Sequence, residues 1–439
     1  MTPGPPEARQ EEPSVGNYFV ANYPPFSFWK PELVGDFAAA LERPPDRSTP
    51  LGVYLHIPFC RKRCHFCYYK VYTDRDSAEI RAYVDALLDE LRLYARKPFI
   101  GDRKASFVYF GGGTPSYLSV EQLRHLTEGM KALLPWDSAE EVTFEAEPGT
   151  LTEHKLRAIR ALGVTRLSLG VENFDDRVLE VNGRAHHSRE IHRSYQAARD
   201  LGFPQINIDL IAGMLEETDQ NWRSAVRQTI EMAPDSVTIY QMEIPFNTTI
   251  YRRMKAEGKF TVPAADWETK RRWVDEAFAA LEKAGYTIAS AYTAVKDPSA
   301  TRFVYRDRLW AGADLLSLGV SSFGIINGTH YQNQHDSGPY LEQLRAGRLP
   351  VYRALTPTGQ ERFVRELILQ LKLGRVSRGY FREKFGEDIC DRFARPLEAL
   401  RGQGFLSLDG DRVSLSRAGL LRVDHLLHEF FLPEHRNAR

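Results

Sequence analysis

Cysteine is scarce in this chain: 439 residues contain four. Four thiols cannot staple a chain of this length, so a disulfide framework is excluded as the source of its stability. Net charge is missing too, because 58 Lys and Arg balance 58 Asp and Glu. That removes the broad basic face of a nucleic-acid binder and any case for a surface that seeks anionic membranes. No apolar run approaches the roughly 20 residues that cross a bilayer, which argues against stable membrane insertion. The opening stretch MTPGPPEARQEEPSVG has neither the basic flank nor the apolar core of a signal peptide. Its Pro and Glu predict a disordered start and a cytoplasmic location. What is present, 43% hydrophobic and 26% charged residues, suits a globular protein with one large domain and a smaller one.

Three of the four cysteines crowd into FCRKRCHFCYYK, as Cys60, Cys64 and Cys67. A closed zinc site takes four ligands, usually in paired short spacings. No second pair exists here, and His65 is awkwardly placed beside Cys64 to be the fourth. Three thiolates on a four-iron cluster would instead leave one iron open to a small molecule. The preceding run GVYLHIPF reads as a buried strand. The thiols therefore occupy a loop at a strand's C-terminal end, the catalytic side of a β/α barrel. Cys390, in FGEDICDRF, reads as a half-buried thiol on a helix.

Strand-like runs alternate with amphipathic stretches, the mark of parallel β/α units. The runs are GVYLHIPF, ASFVYFGGG, EVTFEAEP, TRLSLGVE, QINIDLIAG and SVTIYQME. Between them lie AEIRAYVDALLDELRLYA and VEQLRHLTEGMKALL, the latter with a capping box from Ser119 and Gln122. Glycines in GGGTP (111–115) let backbone approach a ligand. FEAEP sets Glu145 and Glu147 on one strand face. Glu172 closes a strand and Arg184 follows it, while Asp209 lies in an apolar run and needs a partner or ligand. His186 and His187 read as surface residues. Past residue 300, LLSLGVSSFGIINGTHYQN reads as two strands about a turn and GPYLEQLRAG as a short helix. From Thr356 helices run to about residue 403. A hairpin turning at Asp409-Gly410 and a last helix, RAGLLRVDHLLHEFFL, complete a winged-helix-like module. No basic stripe marks that helix, so it predicts a lid or packing role and no nucleic-acid partner.

The spacing Cys-x3-Cys-x2-Cys resembles the radical S-adenosylmethionine (SAM) signature. YLHIPFC, CHFC, GGGTPSYL, INIDLIAG, LGVSSFG and LSRAGLL together resemble the oxygen-independent coproporphyrinogen III oxidase group of that superfamily, which includes class C methyltransferases and a haem chaperone. The resemblance implies an α/β fold. It consists of a disordered start (1–17), an N-terminal arm (18–50), a partial (β/α)6 TIM-like barrel (51–300), a barrel extension (301–355) and a mostly helical C-terminal domain (356–439). It implies a [4Fe-4S] cluster on Cys60, Cys64 and Cys67 and a 5′-deoxyadenosyl radical made from SAM. A first SAM would meet Tyr54, Gly112, Glu145, Met242 and Phe323. A second would meet Phe66, Gly113, Thr114, Glu172, Arg184 and Asp209. A flavodoxin or ferredoxin would supply electrons. Three departures stand out. Tyr69 replaces a Cys of the oxidase, Glu172 replaces its Gln, and YRDRLW (305–310) lacks the His-Asn of the chaperone's haem motif. With Glu172 and Tyr69 as catalytic candidates, the expectation is methyl or methylene transfer to, or cyclopropanation at, an sp2 carbon of a flat aromatic or quinone-like small molecule. Oxidative decarboxylation of coproporphyrinogen is the alternative, and haem delivery a second one. The aromatic arm Tyr23, Phe26, Phe28 and Trp29 is expected to close over the substrate.

Overall fold

The computed structural model describes residues 16–257 and 264–436. Of the stretch expected to be disordered, residues 1–15 lie outside those described. All six runs are strands: β1 (Leu51–Ile57), β2 (Phe107–Gly112), β3 (Glu141–Ala146), β4 (Arg166–Glu172), β5 (Gln205–Ala212) and β6 (Ser236–Gln241). They pair in parallel in sequence order. After the arm helix α1 (Val34–Leu41) come the crossover helices α2 (Ser77–Ala95), α3 (Val120–Leu133), α4 (Glu153–Ala161), α5 (Asp176–Val181), α6 (Ser188–Asp200) and α7 (Asp219–Met232). The Ser119–Gln122 capping box starts α3, and Asp76 with Glu79 forms another at α2.

Strand alternation explains the core. Phe144, Leu167, Leu169, Ile206, Ile208, Val237 and Ile239 share one apolar core. The residues between them point to the opposite face, as the pleat requires. There Ser168, Asn207, Asp209, Ser236 and Thr238 hydrogen-bond one another. From β4 to β6 the interior face is therefore polar, and the apolar half of these strands serves the helices, while Phe107 and Leu315 form a small apolar cluster of their own.

Beyond β6 lie α8 (Thr249–Ala256), α9 (Trp267–Lys283), β7 (Thr287–Ile288), β8 (Thr293–Val295), α10 (Val304–Trp310) and β9 (Asp314–Leu318). β10 (Phe323–Ile326), β11 (Thr329–Asn333), α11 (Ser337–Arg345) and β12 (Val351–Leu355) follow. The sheet order is β12-β11-β10-β9-β1-β2-β3-β4-β5-β6-β8-β7, so its ends do not meet and the barrel stays open. The stretch expected as two strands about a turn makes three, β9 to β11. Gly319, at φ +101°, separates the first two, and Asn327-Gly328, both at positive φ, turn the next pair as a two-residue hairpin does.

The C-terminal part builds its own apolar cluster around Phe363, Ile368, Phe381, Val413 and Phe430. Its helices are α12 (Gly359–Leu371), α13 (Arg378–Phe385), α14 (Ile389–Arg392) and α15 (Ala394–Gly402). Strand β13 (Arg375–Ser377) joins the hairpin β14 (Leu406–Asp409) and β15 (Arg412–Leu415) in a three-stranded wing. The turn is Gly410-Asp411, one residue later than expected, because Asp409 still pairs with Arg412. The last helix is broken into α16 (Arg417–Leu420), α17 (Val423–Leu426) and a 3-10 turn, Leu427–Phe430. Arg422 leaves helical geometry between the first two (φ −119°, ψ 13°). Asp424, just past the break, accepts from Val20 N and Tyr292 Oη and pairs with Lys372 at 2.8 Å. No described helix is long and apolar enough to cross a membrane.

Candidate active site

The cysteine loop leaves the C-terminal end of β1 and meets segments that follow β2 and β4, at Thr114 and Arg184. Cys60 is buried; Cys64 and Cys67 are half-buried. Thr114 Oγ1 donates to Cys60 Sγ at 3.2 Å, and Arg184 Nη1 donates to Cys64 Sγ at 3.3 Å. Arg63 Nη2 holds the Cys67 carbonyl at 2.9 Å. Burial pushes the Cys60 thiol up to about 12 and the Cys67 thiol up to about 11. Such thiols are inert as they stand and become thiolates only against a metal's charge. Among the described residues no three His, Cys, Asp or Glu side chains converge on a single metal ion. Thiolates of a multi-iron cluster need not converge in that way, since they sit on separate irons. The surroundings fit such a group. Donors already face two sulfurs, Arg184 Nε is buried without a partner, and a Cβ on Gly113 would stand 3.0 Å from Cys60 Sγ and from two backbone oxygens.

Near the thiols three carboxylates and two guanidinium groups act on one another. Glu145 accepts from Tyr109 Oη at 2.6 Å and from Gly112 N at 3.3 Å. Gly112 stands at φ +114°, and a Cβ there would meet the His56 ring at 2.7 Å, so glycine is required twice over. Asp209 finds the partners its burial demanded, Ser168 Oγ and Asn207 Nδ2, each at 2.9 Å. Glu172 Oε1 lies 3.6 Å from Arg184 Nη2. The Glu172 backbone is left-handed (φ +66°) at a register shift of β4, a local strain of the kind found at functional sites. Burial raises Glu145 and Glu172 to about 7. Arg184 opposes this at Glu172, while Asp209 and Glu145 reinforce it. Arg166, buried over the Phe303 ring at 4.1 Å, draws Glu145 and Asp209 the other way.

The structure links most of the expected residues into one polar region around the thiols: Thr114 and Arg184 donate to Cys60 and Cys64, Arg184 faces Glu172, Gly112 N donates to Glu145, and the charges of Glu145 and Asp209 bear on Glu172 as that of Glu145 does on Tyr54. Phe66 and Met242 share a small apolar cluster with Ile211, Met214 and Ile250 at its wall. Phe323 stands at the rim, its ring 4.5 Å from Phe26 and 5.7 Å from Trp29. Tyr69 is half exposed, its ring 4.6 Å from that of Tyr68. The neighbouring Tyr68 pushes its phenol well above the ordinary range, so it stays a hydrogen-bond donor.

Three expectations need correction. Glu145 and Glu147 do not act together. Glu147 lies past the end of β3 and binds His186 Nδ1 at 2.9 Å and Gly149 N. His186 is accordingly buried, and His187 alone is a surface residue. The arm is also divided. Tyr23 is buried against Phe431 and bonds His435, Trp29 is buried with its indole on the Pro24 carbonyl, and Phe26 reaches the cavity rim at Phe323. Four contributors escaped the sequence reading: His56, whose Nδ1 meets Tyr54 Oη at 3.1 Å, together with Tyr109, Arg166 and Tyr240. Each occupies the inner position of its strand, so alternation alone marks them.

Residues 54–228 match the Radical SAM superfamily, and residues 358–422 match the HemN C-terminal domain. The oxygen-independent coproporphyrinogen III oxidase of Salmonella typhimurium is 28% identical over 88% of this chain and 84% of its own length. The haem chaperone HemW of Bacillus subtilis is 28% identical over 86% of this chain and 98% of its own. The solved coproporphyrinogen III oxidase HemN of Escherichia coli shares the fold, with TM-score 0.81 at 24% identity over 94% of this chain and 96% of its own. The expected methyl or methylene transfer is overturned by these matches. The near-full-length relatives are coproporphyrinogen oxidases and a haem chaperone, and the C-terminal part is of HemN type. Glu172 and Tyr69, three-dimensionally close to the cavity, therefore lose the methyl-transfer roles assigned to them.

Proposed function

We propose, from the premise that this chain belongs to the coproporphyrinogen III oxidase-like group of the radical SAM superfamily, that it oxidatively decarboxylates propionate side chains of a coproporphyrinogen-type tetrapyrrole in the cytoplasm. Its cofactors are a [4Fe-4S] cluster and SAM. What carries the reading is the match to the oxidases over nearly the whole length of both chains. In the reaction each propionate gives one hydrogen atom to the 5′-deoxyadenosyl radical and one electron to a one-electron acceptor, its carboxylate leaves as carbon dioxide, and a vinyl group remains.

When bound, the cluster and SAM supply a 5′-deoxyadenosyl radical, the agent that takes the hydrogen atom. Cys60, Cys64 and Cys67 hold the cluster, with Thr114 and Arg184 donating to two of the sulfurs. Two SAM molecules are proposed, one against Tyr54, Gly112, Glu145, Met242 and Phe323 and the other against Phe66, Gly113, Thr114, Glu172, Arg184 and Asp209. Gly112 and Gly113 leave bare backbone for close approach. Glu145, Glu172 and Asp209 offset the sulfonium and ammonium charges, which weigh more in a partly dry cavity than in water. Tyr68, Tyr69, Tyr240 and Phe323 are all partly exposed and offer ring faces to a flat macrocycle. The Tyr69 phenol can donate to a substrate carboxylate. Phe26 covers Phe323 and helps exclude water from a radical reaction.

The reading is tested anaerobically with reconstituted protein, SAM, dithionite and coproporphyrinogen III. Mass spectrometry should find products lighter by one carbon dioxide and two hydrogens per propionate, with 5′-deoxyadenosine and no S-adenosylhomocysteine. The haem chaperone is a second reading because HemW is matched over 98% of its length. Tight haem binding with unchanged coproporphyrinogen would favour it and sink the oxidase. Residues 305–310 carry no His for such a role, and Tyr305 instead packs on Tyr109 at 4.5 Å.

The carboxylates give a pH prediction. Glu145 and Glu172 keep protons to about pH 7 when folded, against 4.5 for an ordinary Glu. The folded chain then binds more protons than the unfolded one between these values. Their stabilising contribution is complete below 4.5 and lost as pH rises through 7. A cationic ligand favours the ionised forms, so affinity for SAM should rise roughly tenfold between about pH 6 and 8 for each carboxyl that ionises. Glu172→Gln should flatten that rise in equilibrium SAM binding to cluster-loaded protein. An unchanged slope would remove Glu172 from the charge balance.

A further inference from the structure

One cationic surface is not accounted for by the cavity. The backbone N of Ile250, in the first turn of α8, donates to the His65 carbonyl at 3.1 Å, and Ile250 packs with Phe66 in one apolar cluster. This helix therefore sits directly on the cysteine loop. Its sequence, TIYRRMKA, has three cations and no acid. Arg252, Arg253 and Lys255 are exposed, as is Lys62 on the loop below. None of the four cations forms an ion pair among the described residues. Nearby acids are Glu257 at the C-cap of α8, which has an interaction of its own, and Glu180 at the end of α5. Neighbouring Arg61 is already paired with Glu147, and Arg189 with Glu190. Arg253 and Lys255 suit the C-terminal end of a helix dipole. That does not explain Lys62 or the mutual repulsion of Arg252 and Lys255 three residues apart.

Exposed aromatics flank the cations. Phe246 is 77% exposed. Its neighbour Asn247 donates to the Tyr68 carbonyl at 2.8 Å and accepts from Arg252 at 2.7 Å through its own carbonyl. Arg with aromatic rings, next to charge that water alone satisfies, is the composition of a protein-binding surface. The chain as a whole is neutral, so steering toward a charged partner must come from a local field.

We infer that Lys62, Arg252, Arg253 and Lys255, with Phe246, form the docking surface for an acidic protein that carries a low-potential one-electron cofactor, seated over the cysteine loop. The inference rests on the radical SAM reading of that loop. One electron leaves the carrier's reduced cofactor, which is oxidised, and enters the cluster, which is reduced; no atom is transferred. Placement over the loop keeps the electron's path short, and charge complementarity brings the carrier there quickly.

The test uses cluster-loaded, full-length protein and an acidic flavodoxin, with an acidic ferredoxin as second carrier. Binding of the oxidised carrier is measured by calorimetry at low and at moderate salt. SAM cleavage is measured with reduced carrier and, separately, with dithionite. The triple variant Lys62→Gln, Arg253→Gln, Lys255→Gln and the single Arg253→Glu should bind the carrier at least about 10-fold more weakly, the lower end of steering effects. They should lose carrier-driven cleavage by a similar factor while keeping iron content, SAM binding and dithionite-driven cleavage. Carrier binding to the unmodified protein should weaken with salt. Variants that bind and use the carrier normally overturn the inference, as does unmodified protein that binds neither carrier. Loss of dithionite-driven product in the variants would assign these cations to the substrate instead and overturns it equally. Absence of dithionite-driven SAM cleavage in the unmodified protein is a different failure, that of the radical SAM reading itself.

Discussion

Cys64→Ala protein, reconstituted with iron and sulfide without oxygen, is expected to form 5′-deoxyadenosine no faster than a protein-free control, whereas Cys390→Ala should match the unmodified protein. Ligand count decides the outcome. On the proposed reading three thiolates are the whole protein contribution, and losing one leaves two on a cluster that also needs an open iron. Cys64 carries a second burden. Its sulfur is the partner of Arg184 Nη1, and the same guanidinium faces Glu172 and holds the Gly170 carbonyl. Without the thiol, a buried cation loses one partner in a site where its Nε already lacks one, so SAM affinity should fall as well. Cys390 lies in the C-terminal part, half-buried beside the Phe363 cluster, and acts there as a small hydrophobe. Iron analysis should find about four irons per chain in the unmodified and Cys390→Ala proteins. Normal 5′-deoxyadenosine formation by Cys64→Ala would end the radical SAM reading.

Lys372→Met should cost about 3–5 kcal/mol of stability, the range for removing one partner of a buried ion pair. The Lys372 and Asp424 side chains are 0% and 1% exposed, 2.8 Å apart. Lys372 Nζ also donates to the Val20 carbonyl and lies 3.6 Å from the centre of the Phe19 ring. Asp424 takes Val20 N and Tyr292 Oη. One pair thus ties the arm to the C-terminal part and to the strand region behind the barrel. Truncating Lys372 leaves Asp424 charged and buried, with two neutral donors in place of a cation. The double variant Lys372→Met, Asp424→Leu should recover most of the loss, since a pair replaced by apolar groups leaves no stranded charge. Denaturant unfolding gives the stability change, and limited proteolysis near Val20 reports on the arm. A single variant as stable as the unmodified protein, with an arm equally resistant, would show that the pair holds nothing together.

The six strands, the thiol loop and the Gly112 turn were legible in sequence because each is local. A strand shows as alternation, a capping box as two residues three apart, and a cluster loop as thiols at short fixed spacing. His56, Tyr109, Arg166 and Tyr240 were equally available from alternation. They went unread because a single Tyr or Arg in a strand says nothing of what it faces. His186 was misassigned for a related reason: its partner, Glu147, lies 39 positions away. The third strand in the 314–333 stretch was hidden because Asn327-Gly328 makes its turn in two residues within a continuous apolar run.

The sequence by itself determined the β/α order, the placement of three thiols in the loop after the first barrel strand and the lack of enough cysteines for a disulfide framework, since each follows from composition or short-range pattern. It could not decide the reaction. Glu172 argued for methyl transfer when read as an isolated carboxylate, and whole-length kinship with coproporphyrinogen oxidases corrected that. Only the tertiary structure decided which charges meet. Arg184 stands between Cys64 and Glu172, Lys372 meets Asp424 across 52 positions of chain, and α8 brings its cations onto the cysteine loop. The reason is physical. Alternation and spacing are imposed by backbone geometry over a few residues, whereas a charge's partner, its burial and hence its protonation depend on which distant segments the apolar core draws together.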